Sequence, residues 1–68
     1  MITITVNGES RICPAGLELR KVLLHLGYSP DVVVVELNGI IYSRSKGFEQ
    51  RVVESDALEV VTIVGGGT

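Results

Sequence analysis

Apolar and polar positions alternate from the start of the chain, with Ile2, Ile4 and Val6 set against Thr3 and Thr5. A period of two belongs to a strand with one buried face. Asn7-Gly8 follows, the dipeptide best suited to a two-residue hairpin turn. Ser10-Arg11-Ile12-Cys13 reads as the returning strand, and Pro14 ends it because proline brings no donor to the ladder. The period then changes. Leu19, Val22, Leu23 and Leu26 fall at i, i+3, i+4 and i+7 within Gly16 to Leu26, which is one face of a helix. Leu24 widens that stripe. Glu18 falls in the first turn, where its charge suits the helix dipole, and Gly27 stands where a helix C-terminus takes glycine.

Beyond the turn at Tyr28-Ser29-Pro30, Asp31 to Leu37 is predicted as a strand, with Val32 through Val35 apolar without a break. Asn38-Gly39 makes a second tight turn, and Ile40-Ile41-Tyr42 returns from it. Ser43 to Gln50 is polar and irregular, with room for one short helical turn anchored by Phe48. Arg51-Val52-Val53 is predicted as a short strand. Asp56 sits in the turn Glu54 to Ala57, its carboxylate expected to bond nearby backbone N–H groups. Leu58 to Val64 is the last strand.

These elements make one α+β domain over residues 1–64, a single mixed sheet packed on one main helix. The long apolar last strand is expected at its centre, beside the first. Residues 65–68 are expected to be a flexible glycine tail. One helix covers only one face of the sheet, yet the strands at Val32 to Val35 and Leu58 to Val64 carry apolar residues on both. Val33, Val35, Val61 and Ile63 are therefore expected on the open face, as candidates for docking a protein partner.

Composition narrows the function. At 68 residues, 46% of them apolar, with no Trp and only Phe48, Tyr28 and Tyr42 aromatic, the core is small and aliphatic. A chain of this size buries about 60% of its unfolded surface, and a ligand pocket of ~300 Å³ would consume that core, so no bound cofactor is expected. The net charge is -2 and the basic residues are scattered, which argues against nucleic acid. The lone Cys13 forms no intrachain disulfide and no thiolate metal cluster. No leader pattern opens the chain, and its longest apolar run falls far short of the ~20 residues that span a bilayer. A reduced, cytoplasmic setting without membrane contact is expected.

Side-chain chemistry is sparse. His25 lies off the apolar stripe near the end of the helix and has no acidic or cysteine partner at a catalytic spacing. Cys13 reads as a small buried hydrophobe. The carboxylates fall at turns and strand edges, and no metal-binding or phosphate-loop spacing occurs. Gly65-Gly66-Gly67 before Thr68 is different. Three glycines serve no core, but they let an arm enter a cleft too narrow for any Cβ. A glycine carboxylate at the end of such an arm becomes reactive once coupled to AMP, and a sulfur nucleophile can then displace the AMP to give a thiocarboxylate. The folded body would supply the binding energy that positions the arm.

Four segments now stand together. They are Ile2-Thr3-Ile4-Thr5-Val6-Asn7-Gly8, the helix with Leu23-Leu24-His25-Leu26, the strand-turn Val35-Glu36-Leu37-Asn38-Gly39, and the closing Asp56-Ala57-Leu58-Glu59-Val60-Val61-Thr62-Ile63-Val64-Gly65-Gly66-Gly67. Over nearly its whole length the chain resembles the sulfur carrier proteins of thiamine biosynthesis, which have the ubiquitin-like β-grasp fold. The resemblance implies that the chain is no enzyme but a protein co-substrate, a monomer when free. It makes Gly67 the residue that is adenylated and converted to the thiocarboxylate, with Gly65 and Gly66 as the threading arm. The partners it implies are an E1-like adenylating enzyme that consumes ATP, a cysteine desulfurase or rhodanese-type sulfur donor, and thiazole synthase. Two residues depart from the family pattern. Glu18 replaces a hydroxyl residue at the helix start, and Thr68 follows the glycine that normally ends the tail, so Thr68 is expected to be removed before adenylation. The rival readings are the small subunit of molybdopterin synthase, which shares fold and tail but is generally longer, a β-grasp binding module whose tail is incidental, and protein modification in the manner of ubiquitin.

Overall fold

The computed structural model describes residues 1–63. Strands β1 (Ile2–Val6) and β2 (Glu9–Cys13) form a hairpin, followed by helix α1 (Leu19–His25), a 3-10 turn (Pro30–Val32), a second hairpin of β3 (Val33–Leu37) and β4 (Ile40–Tyr42), and strand β5 (Ala57–Thr62). One mixed sheet has the order β2-β1-β5-β3-β4. β5 is central as expected, parallel to β1 with Thr5 opposite Ala57 and antiparallel to β3 with Leu58 opposite Leu37. One helix against one mixed sheet is the β-grasp arrangement. Both hairpins turn through an asparagine at φ 51°, a left-handed geometry that asparagine tolerates better than most residues.

The helix is shorter than its apolar period. It begins at Leu19, and Glu18 is its N-cap rather than a first-turn residue, with no side-chain capping bond. The orphan N–H groups of a helix start need acceptors, and here the chain itself supplies them. Leu19 donates to the Gln50 carbonyl (2.7 Å) and Arg20 to that of Phe48 (2.9 Å). The Arg51 guanidinium bonds the Gly16 carbonyl. This explains a second departure. Arg51-Val52-Val53 is not a sheet strand, because it pairs with the segment entering α1: Arg51 bridges to Glu18, and the Val52 N–H donates to the Leu17 carbonyl (3.0 Å). Ser43 to Gln50 contains no helix, only a single turn around Phe48 in which the Gln50 N–H donates to the Gly47 carbonyl (3.0 Å). It folds through tight bridges from Ser43 to Lys46 and Gly47, and Phe48 is buried as its anchor. A side chain at Gly47 (φ 96°) would overlap the ring of Tyr42.

The end of α1 follows the sequence expectation. Gly27 takes φ 95°, its N–H bonds the Leu24 carbonyl (3.0 Å), and the Tyr28 N–H reaches back to that of Leu23 (2.9 Å). This pair of bonds is a Schellman cap. A seven-residue helix has little stability of its own, so packing must hold it. Leu19, Val22 and Leu23 are fully buried against Ile4, Val35 and Leu58 of the sheet, whereas Leu24 is 50% exposed and does not extend the buried stripe.

Candidate docking face and the root of the tail

Two turn residues fix β5 in place. On the β3 side, the Asn38 side chain accepts the Ala57 N–H at 2.9 Å and donates to Asp56 Oδ1 at 2.8 Å. Asp56 Oδ2 accepts the Val53 N–H at 2.8 Å, the turn-bonding role expected for this carboxylate. On the β1 side, the Asn7 side chain accepts the Val60 N–H at 2.7 Å and donates to the Val60 carbonyl at 3.3 Å. The strand that leads to the glycine tail is thereby held by backbone and side-chain amides on both flanks. Asp56 is the buried polar group of this network, and with its carboxylate bonded in this way it favours one register.

The face of the sheet away from α1 has a definite make-up. Register places Val34 opposite Val61 and Glu36 opposite both Glu59 and Ile41, and Thr3 opposite Ile12. Val61 is 61% exposed and Ile63 52%, which leaves both accessible to a partner. Val33 and Val35 are not on this face. They are 4% and 0% exposed, packed in the core beneath α1. The apolar run from Val32 to Val35 concealed their direction, but Glu36 carries the signal that resolves it. A charged residue within the strand points to water, and a period of two then sends Val34 outward with it and Val33, Val35 and Leu37 inward. Val34, Ile41 and Ile12 are the outward residues that sequence reasoning missed.

Glu36 and Glu59 face one another directly, both exposed. Like charges opposite each other in a sheet are destabilising. Glu59→Gln is therefore expected to raise stability by about 0.2–1 kcal/mol, read as a higher melting temperature at low salt that converges on the parent at high salt. A lower melting temperature would contradict the repulsion.

The remaining candidates stand apart from this face. His25 is exposed at the end of α1. Cys13 is fully buried, and burial pushes its thiol above the ordinary value, opposed only by the N-terminal ammonium charge. A buried thiol kept protonated is a poor nucleophile. Among the described residues no group of three or more His, Cys, Asp or Glu is placed to hold a metal ion, and no helix is long and apolar enough to cross a membrane. The tail residues Gly65, Gly66, Gly67 and Thr68, together with Val64, lie outside the described residues.

The model of the ThiS family matches residues 4–67. The ycf40 protein of Pyropia yezoensis is 38% identical over 66 residues, covering 97% of this chain and 93% of that protein. A thiazole synthase of Magnetococcus marinus is 39% identical over 64 residues, covering 94% of this chain but 20% of the synthase. The chain thus spans about a fifth of that relative's length. Among solved structures, the thiamine biosynthesis protein ThiS of Geobacter metallireducens superposes with a TM-score of 0.75 at 31% identity, covering 97% of this chain and all of that one.

Proposed function

The chain belongs to the ThiS family, and on that premise we propose that it is a sulfur carrier for thiamine biosynthesis, with the carboxylate of Gly67 as its reacting group. The observation that carries this reading is the extent of the family match, which runs through the three glycines and ends on Gly67, leaving Thr68 outside it. Hydrolysis of the Gly67–Thr68 peptide bond frees the carboxylate. The carboxylate attacks the α-phosphate of ATP in an E1-like activating enzyme, expelling pyrophosphate and leaving an acyl-adenylate. The terminal sulfur of a persulfide on a desulfurase or rhodanese-type donor displaces AMP to give an acyl disulfide. A second thiol of the donor or activating enzyme cleaves its S–S bond, becoming a disulfide with the donor and releasing the thiocarboxylate, whose sulfur passes to thiazole synthase. The similarity to a thiazole synthase chain favours this pathway over molybdopterin synthesis. The carrier itself binds no cofactor, and ATP belongs to its partner.

The test is mass spectrometry of the intact chain after incubation with the activating enzyme of the same genome, ATP and a sulfur donor. A thiocarboxylate on Gly67 with Thr68 gone supports the reading. A thiocarboxylate on Thr68 would sink the requirement for its removal, and pyrophosphate exchange absent from both the full chain and a chain ending at Gly67 would sink the carrier role.

Docking is assigned to the open face around Val61 and Ile63. Replacing both by Ser is expected to weaken binding to the activating enzyme roughly tenfold or more, as loss of apolar anchors does. Surface changes of this kind alter folding stability by only about 0.5 kcal/mol. Titration calorimetry beside a thermal melt separates the two effects, and unchanged affinity would remove these residues from the interface.

A further inference from the structure

β5 is paired unequally along its two edges. Towards β3 the ladder runs from Leu58 to Thr62 and continues through the Ile63 N–H and the Val32 carbonyl (2.7 Å). Towards β1 it stops after Ala57 and Leu58, because the chain turns away at Asn7. The Asn7 N–H still reaches the Leu58 carbonyl (2.8 Å), and its side chain then replaces a neighbouring strand for one residue, bonding both the N–H and the carbonyl of Val60. Backbone groups of alternate residues face the same edge of a strand. Leu58 and Val60 use the β1 edge, so Thr62 is the next residue to face it. Among the described residues nothing pairs with Thr62 there, and Thr62 is exposed.

We propose that an extended segment of thiazole synthase adds to the sheet along this vacated edge, pairing with the backbone of Thr62 and aligning the chain that leads into the glycines. The inference rests on the carrier reading above. An open strand edge is a template for another extended backbone. This edge is closed by the protein's own amide up to Val60 and opens only at Thr62, with Ile63 and Val64 between it and the glycines that must be delivered. The occupant follows from the relatives. In Magnetococcus marinus and Paramagnetospirillum magneticum the matching sequence makes up 20% of a thiazole synthase chain, so there a synthase body is tethered to this fold. Recognition through backbone bonds reads position rather than side-chain identity, so the side chain of Thr62 carries little of the affinity.

Amide hydrogen exchange at Thr62 tests this, with the synthase of the same genome added to the full chain and to the chain ending at Gly67. Among the described residues the buried core lies within 4–60, so the shorter form is expected to keep the fold. The Thr62 amide is expected to exchange at least about tenfold more slowly in the complex. Thr62→Pro removes a donor that points away from β3 and is expected to raise Kd roughly fivefold, the worth of one hydrogen bond. Thr62→Val, which keeps the donor, is expected to bind as the parent does. If the proline disrupts β5, a backbone ester at position 62 removes the same donor without the ring. Unchanged exchange at Thr62 in a complex that does form overturns the strand addition alone, as does a Thr62→Val defect equal to that of Thr62→Pro. Protection of Thr62 in the free chain at high concentration overturns it in favour of a second copy. Failure of both chain forms to bind the synthase overturns the carrier reading and this inference together.

Discussion

Gly66→Val is expected to lower the rate of adenylation by roughly 100-fold or more, the cost of displacing a reacting group by about 1 Å, while leaving the fold intact. Glycine at this position leaves the arm thin enough to enter a narrow channel, and a branched side chain there keeps Gly67 from the α-phosphate of ATP. The variant must be made in the chain ending at Gly67, since intact Thr68 is itself expected to block the reaction. Pyrophosphate exchange with the activating enzyme reads the rate, and circular dichroism checks that the body is unaltered, as expected when the buried core among the described residues lies within 4–60. Binding should persist in Gly66→Val, because docking is proposed to rest on the open face around Val61 and Ile63. Parent-like exchange in this variant would mean that the glycines do not thread a channel, and the tail would lose its assigned role.

The second large effect is on folding. Leu23→Ala is expected to cost about 2–5 kcal/mol. Domains hold about 0.05–0.15 kcal/mol per residue, so a chain of 68 residues has about 3–10 kcal/mol in all. The substitution therefore removes about half of the total at mid-range and shifts the unfolding midpoint to a much lower urea concentration. Its neighbour supplies the control. Leu24 is 50% exposed while Leu23 is fully buried, so Leu24→Ala is expected to change stability by about 0.5 kcal/mol at most. Urea denaturation of the two variants tests the difference, and equal losses would mean that the helix is rotated from the orientation described.

Much of the architecture was legible in the sequence because several local signals agreed. The two Asn-Gly turns, the change from a period of two to one of 3.6, and the glycine after Leu26 all pointed to the same fold. What failed was reading that depended on contacts distant in sequence. Arg51 to Val53 has strand-forming residues, but the acceptors and donors it meets belong to Leu17 and Glu18, and nothing within the segment announces that. The inward direction of Val33 and Val35 is hidden in the sequence because four consecutive valines carry no alternation of their own. Direction came from the pairing of Leu37 with Leu58, and Glu36 was the sequence signal that would have supplied it. The open face was legible through Val61 and Ile63, but its acidic pair was not. Glu36 and Glu59 become neighbours only when β3 and β5 meet.

The central position of β5 has a consequence for how the protein is made. A ribosome produces β1 first and β5 last among these strands, yet β1 has no sheet partner beyond β2 until β5 reaches it. The β3–β4 hairpin likewise joins the sheet only through β5. Two hairpins and a short helix therefore wait as separate pieces during synthesis, and the closing contacts are the most distant in sequence, which slows folding. A nascent or truncated chain lacking β5 has no assembled sheet to present to a partner. Emergence of this one strand thus acts as a completion check, tying the assembly of a docking surface to synthesis of the segment that leads into the glycines.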